Sequence, residues 1–157
     1  MISRYRRLLV TTDFSPLGNA AIPHAYTLLE GYGGTIILCH VTEVYGPPNP
    51  RYAHYATWSA LSEQERVELR QTLLHSLESL VIEQTHAGGI VTTEVRVIET
   101  PLLVYEAICQ EAKALDVDLI VMASHGHSGM ARLVLGSVAE HVLRSADRPV
   151  LIVRSRG

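Results

Sequence analysis

Hydrophobic and polar positions along the chain form short apolar runs separated by stretches of helical spacing. Leu8 to Thr11 is apolar and β-rich, with Arg6 and Arg7 leading into it. Thr35 to Val41 is a second such run. Ile90 to Ile98 alternates in part, with Val91, Thr93, Val95 and Val97 set against Thr92, Glu94 and Arg96, which predicts a half-covered edge strand. Leu119 to Ala123 carries no charge, as expected of a strand covered on both faces of a parallel sheet. Val150 to Val153 supplies the last strand.

Helical patterns fill the intervals. Ala20, Ala21, Ala25, Leu28 and Leu29 form one apolar face, with Ser15 as a possible N-cap and Pro16 suited to the first helical position. Pro23 lies inside that pattern, so either the helix kinks there or its start is nearer Asn19. A long helix is predicted from Leu61-Ser62 to about Thr85, with Leu69, Leu73, Leu77 and Leu80 in register and Val67, Leu74 and Val81 widening the stripe. Thr100-Pro101 opens a third helix carrying Leu103, Ala107, Ile108 and Ala112, and a fourth runs from about Gly136 to Ser145. Strands that alternate with helices imply one α/β domain over residues 1–157, a parallel sheet with right-handed crossovers and helices on both faces. Only Thr42 to Ala60 resists the pattern. Its prolines forbid a continuous helix or central strand, and its Tyr45, Tyr52, Tyr55 and Trp58 suit either a lid or contact surface or a cover for the core.

Candidate chemistry gathers after the fourth strand. Ser124, Gly126, Ser128 and Gly129 form a small-residue loop that lets a ligand approach the backbone. Gly136-Ser137 then opens a helix, whose unpaired N–H groups and positive dipole end can hold a phosphate. A Walker A lysine motif is missing, and Gly126-His127-Ser128-Gly129 lacks the opening of a dinucleotide fingerprint. His125 and His127 flank Gly126 without a nearby Cys, Asp or Glu to complete a metal site. Ser124, Ser128 and Ser137 have no identifiable base and orienting group, so no catalytic machinery is evident.

The spacing Ala123-x-x-Gly126, nine residues, then Gly136-Ser137 resembles the ATP-binding branch of the universal stress proteins, with Ala123 where the family motif has its first glycine. The resemblance extends to Thr11-Thr12-Asp13-Phe14-Ser15 and to the ending Arg148-Pro149-Val150-Leu151-Ile152-Val153-Arg154, and spans the chain apart from Thr42 to Ala60. It implies a Rossmann-like (adenine nucleotide alpha hydrolase-like) five-stranded sheet in the order 3-2-1-4-5, with a crevice between strands 1 and 4. It further implies an adenine nucleotide as ligand, ATP or else ADP or AMP, with Mg possible alongside. Thr11, Thr12 and Val41 would border the adenine, and Met122 would flank base or ribose. Ala123, Gly126, Gly136, Ser137 and Val138 would hold ribose and phosphates. Asp13 would face the crevice, where a carboxylate can accept hydrogen bonds from ribose hydroxyls or instead cap its own turn. A homodimer paired through Val150, Leu151, Ile152 and Val153 is also implied.

Composition narrows the remaining classes. The 157 residues, 47% of them apolar, suit one domain with a real core and argue against disorder. A net charge of −3 from 13 basic and 16 acidic residues gives no basic groove for nucleic acid. No apolar run is long enough to span a bilayer, so a soluble cytoplasmic protein is expected. Cys39 and Cys109, in an apolar strand and an apolar helix, read as buried reduced thiols. The leading functional expectation is a nucleotide-binding sensor or switch with an unidentified protein partner. A dimeric interaction protein that binds no nucleotide, and a weak ATPase or autophosphorylating enzyme, are the alternatives. A phosphate-receiver domain is disfavoured because Asp13 stands alone and Ile98-Glu99-Thr100 supplies no aspartate.

Overall fold

Leu8, Leu9 and Val10 have no exposed surface, because their strand is flanked on both edges and covered on both faces. The computed structural model describes residues 4–43, 61–83, 90–125 and 135–154. In chain order the elements are β1 (Arg7–Thr11), α1 (Ala21–Leu29), β2 (Gly34–Glu43), α2 (Glu63–Glu78), β3 (Val91–Thr100), α3 (Val104–Ala114), β4 (Leu119–Ala123), α4 (Ser137–Ser145) and β5 (Val150–Val153). The strands form one five-stranded sheet in the order β3-β2-β1-β4-β5, and every pairing is parallel.

Alternation along the strands divides the core in two. Leu8, Val10, Ile36, Leu38, Leu119 and Val121 point to one face and pack with Ala25, Tyr26 and Leu29 of α1 and Leu77 of α2. Leu9, Ile37, Cys39, Ile120 and Met122 point to the other and pack with Ile108 and Ala112 of α3 and Ala139 and Val142 of α4. Each fully buried Leu or Ile contributes about 1.5–3 kcal/mol through removal from water, so these two layers dominate stability. A carboxylate fixes the register at the amino end of the sheet: Asp118 Oδ2 accepts from the backbone N–H groups of Arg6 at 2.7 Å and Arg7 at 2.8 Å.

Several predicted boundaries move for local reasons. The first helix begins at Ala21, so Pro23 falls in its first turn, where a missing N–H breaks no intrahelical bond. Ser15 serves the preceding turn instead, its Oγ accepting from Gly18 N at 2.9 Å. The helix predicted from Leu61-Ser62 to about Thr85 spans Glu63–Glu78; Ser62 caps it in a reciprocal pair with Glu65, and Thr85 lies outside the described residues. Of its predicted stripe only Leu77 is buried, while Leu73, Leu74 and Leu80 are half-buried against the core and Val67 is exposed. That helix packs over β3 and β2, at the edge of the sheet. Thr100 belongs to β3 rather than to a helix, and Leu103 is an exposed flanking residue, not part of the apolar face of α3. The Thr42–Ala60 stretch, apart from the end of β2 at Glu43, lies outside the described residues. Among the described residues no helix is long and apolar enough to cross a membrane.

Both cysteines are free; Cys39 is buried and Cys109 half-buried. Burial pushes the Cys39 thiol up from 9.0 to about 12, the negative charge of Glu111 adding to the effect and Arg96 opposing it. The folded chain therefore keeps a proton that the unfolded chain sheds, so this contribution is complete below pH 9.0 and is lost as pH rises toward about 12. At about pH 8 an alkylating reagent should leave Cys39 unmodified in the native protein and label it after denaturation. Rapid native labelling at Cys39, located by peptide mapping, would contradict the burial.

Candidate functional site

The chain leaving β1 turns to one face of the sheet and the chain leaving β4 turns to the other, so a crevice opens between their carboxyl ends. A cavity of about 210 Å³ lies there. Thr11, Thr12 and Asp13 reach it from β1, His40, Val41 and Glu43 from β2, and Met122 and Ala123 from β4. Gly136, Ser137, Val138 and Ala139 reach it from the start of α4, and Val104 and Ile108 from one stripe of α3.

The turn after β1 is tightly determined. Thr12 N extends the sheet by donating to Cys39 O at 3.0 Å. Thr12 Oγ1 accepts from Phe14 N at 2.9 Å and donates to Asn19 Oδ1 at 2.5 Å. Phe14 adopts a φ of 65°, a left-handed conformation that costs a side chain of this kind about 1–2 kcal/mol. Its ring packs against His40, with centroids 4.6 Å apart, and His40 Nδ1 donates to Thr12 O at 2.9 Å. Asp13 Oδ1 accepts twice from Ser15, from its N–H at 3.0 Å and its hydroxyl at 2.5 Å. The strained residue thus sits between two side-chain-to-backbone turns, and the result is a carboxylate placed on the wall of the cavity.

Opposite it, β4 and α4 are joined across the loop. Ser124 N continues the sheet onto Val153 O at 2.9 Å, and Ser124 O accepts from Gly136 N at 2.8 Å. Gly136 is the N-cap of α4, with φ −60° and ψ 151°. A Cβ there would lie 2.8 Å from Ser124 O, so only glycine lets the helix start this close to the strand end. Ser137, Val138 and Ala139 form the first turn, whose N–H groups have no intrahelical acceptor. With the positive end of the helix dipole they make this side of the cavity favourable to an anion.

Ser124 Oγ and His125 Nδ1 share a hydrogen bond of 3.0 Å, while His125 Nε2 is buried without a hydrogen-bond partner among the described residues. A buried ring nitrogen in that state calls for a water or ligand. Among the described residues no group of three or more His, Cys, Asp or Glu side chains could hold a metal ion.

Of the residues singled out in the sequence, Thr11, Thr12, Asp13, Val41, Met122, Ala123, Gly136, Ser137 and Val138 all line this one cavity. Gly126 lies outside the described residues, as do His127, Ser128 and Gly129. Sequence reasoning missed His40, Glu43, Gly18, Val104 and Ala139. His40 neighbours Val41 at the strand end, and Val104 precedes Ile108 by one helical turn; either spacing could have raised them. Nothing local marks Gly18.

Residues 4–154 match the model of the universal stress protein family. The chain is similar to universal stress protein MJ0577 of Methanocaldococcus jannaschii, 25% identical over 159 residues that cover 97% of this chain and 96% of that protein. The solved structure of MJ0577 aligns over 99% of each chain with a TM-score of 0.74. A universal stress protein in complex with cAMP aligns over 98% of this chain and 100% of its own at 22% identity and TM-score 0.59. A family protein of Arabidopsis thaliana with AMP bound aligns over 97% of this chain and 93% of its own at 16% identity and TM-score 0.54. At those last two identities the likeness concerns the fold.

The contact between Gly136 and Ser124 yields a stability prediction. Gly136→Ala keeps an allowed backbone but forces the methyl group against a carbonyl oxygen, which should lower stability by about 1–3 kcal/mol in urea unfolding. An unchanged midpoint would mean that the joint between β4 and α4 has slack.

Proposed function

The chain belongs to the universal stress protein family, and we propose that it binds an adenine nucleotide, ATP in the first place, in the crevice between β1 and β4 and acts as a stress-response sensor or switch. One observation carries the reading: an open helix N-terminus and a fixed carboxylate border the same cavity. The two ask for opposite things. The first turn of α4 favours an anion, and Asp13 favours hydroxyl donors while repelling phosphate. A nucleotide carries both, its phosphates at one end and its ribose hydroxyls nearer the base. The base would lie against Val41 and Met122, bordered by the backbone of Thr11 and Thr12. Ser137, exposed at the first helical position, would donate its hydroxyl to a phosphate. Ala123 and Gly126 would complete the phosphate loop with Gly136 and Val138. A magnesium ion would come in on the phosphates and need few protein ligands. The fold neighbours with cAMP and AMP bound support an adenine ligand in this fold.

Denaturing freshly purified protein should release an adenine nucleotide, and the stripped protein should bind Mg-ATP at one site per chain by calorimetry. Ser137→Glu adds an acidic group that suits a helix N-terminus, so the fold is kept while phosphate is repelled. ATP affinity should fall about tenfold or more, with adenosine affinity unchanged. Equal ATP affinity in wild type and variant would remove the phosphates from α4.

Ala123 favours a second reading, a family member that binds no nucleotide and works by contact with other proteins. No binding heat in the wild type, nor in Ala123→Gly, would select it. Under either reading we propose a homodimer formed through β5. That strand pairs only with β4 among the described residues, and Val150, Leu151 and Ile152 are only half-buried. Sedimentation at micromolar concentration should give a dimer; a monomer would contradict the proposal.

A further inference from the structure

We infer that β3 is a self-association edge: a second copy of this chain adds its own β3 in antiparallel register about Val95, where Glu94 and Arg96 of each chain face Arg96 and Glu94 of the other. The surface lies at the opposite edge of the sheet from β5 and does not depend on the nucleotide reading.

The strand runs for 10 residues, Val91–Thr100, and pairs with β2 along its whole length. It comes last in the sheet order, and among the described residues no strand pairs with its outer side. Its line starts one position earlier still, since Ile90 O accepts from Gly34 N at 3.2 Å, and Ile90 is 87% exposed. An edge of this kind presents N–H and C=O groups that another strand can pair, and charged side chains decide which strand is admitted. Glu94 and Arg96 are those charges. Residues two positions apart share one face of a strand, and Arg96 Nε lies 3.4 Å from Glu111 Oε1 of α3, which puts both on the α3 face. The Arg96 side chain remains 42% exposed beside that pair. Glu94 is exposed and has no ion pair among the described residues.

A twofold axis relating two antiparallel edge strands stands perpendicular to the sheet and keeps each face continuous, so residues of the α3 face meet residues of the α3 face. The position of the axis then decides the charges. An axis at Glu94 sets it against the partner's Glu94, and an axis at Arg96 sets it against the partner's Arg96. An axis at Val95 sets Glu94 against the partner's Arg96 and Arg96 against the partner's Glu94. Opposite charges facing across strands attract and like charges repel, so the register about Val95 is favoured. On the other face it brings the half-buried Val95 against the partner's Val95, beside the core residues that cover β3. Parallel in-register stacking, the route to fibrils, would set Glu94 on the partner's Glu94 and Arg96 on the partner's Arg96. The same two charges thus oppose stacking and favour one twofold pair. Because the pair is exposed, the contact is weak and sensitive to salt, whereas the β5 edge offers Val150, Leu151 and Ile152 without charge.

The test is sedimentation equilibrium on the full chain from micromolar to millimolar concentration. Wild type should pass from dimer to tetramer as concentration rises, and high salt should shift it back. Glu94→Arg and Arg96→Glu each set like charges against each other at both positions and should weaken the tetramer contact about tenfold or more. An equimolar mixture of the two variants sets an all-basic edge against an all-acidic one and should restore it. Glu94→Arg leaves the Arg96–Glu111 pair in place, and thermal unfolding checks that each variant is folded. Single variants that assemble like wild type, or a mixture that assembles no better than its components, would overturn the inference. Wild type that stays a dimer throughout would also overturn it and leave the edge to an extended segment of another protein. Wild type that passes only from monomer to dimer, with the same response to the variants and their mixture, would support β3 and remove the β5 contact.

Discussion

A right-handed β–α–β crossover can place its helix on only one face of a sheet for a given direction of travel. The chain goes outward from β1 through β2 to β3 with α1 and α2 on one face, and then returns past β1 to β4 and β5 with α3 and α4 on the other. That reversal leaves β1 and β4 adjacent while their following segments diverge. The crevice is a topological necessity of this order rather than a product of any loop. The packing agrees with it, since the central strands alternate strictly between two apolar layers and could not slip by one residue without exchanging both.

Backbone groups at the crevice are satisfied in a particular order. Thr12 N and Ser124 N continue the sheet onto Cys39 O and Val153 O, Ser124 O receives Gly136 N, and Thr12 O receives the His40 ring. These strand ends are thereby closed off by protein. The donors left open are those of the first turn of α4. A ligand here is offered hydrogen-bond donors on the α4 side and a carboxylate on the β1 side.

Rigidity is concentrated on the carboxylate side. Phe14 at positive φ is held by the Thr12 hydroxyl on its N–H and by the His40 ring on its face. A residue strained in this way persists only when its surroundings over-determine it, and such places are often where binding is prepared in advance. On the α4 side the determining contact is steric instead, with Gly136 lying against the carbonyl of Ser124. Both sides use a glycine for close approach, one beneath a side chain and one beneath the backbone.

The sequence alone determined the alternation of strands and helices, the apolar strands, and the start of α2 next to Ser62, because periodicity is a property of neighbouring residues. It also marked nine residues that share one cavity, Gly136 and Ser137 from the loop-to-helix pattern and the others through the family resemblance; periodicity gave no reason for Asp13 and Ser137 to meet. Local pattern failed where burial depends on a distant surface. Val67 and Leu103 have helical spacing and remain exposed. Pro23 could be placed in a kink or in a first turn, and tertiary packing of α1 chose the latter. Gly18 carried no signal at all, for its reason to be glycine is the Asp13 carboxylate above it. Spacing along the chain records which face a residue takes, whereas what it meets on that face is decided by segments that only the folded sheet brings together.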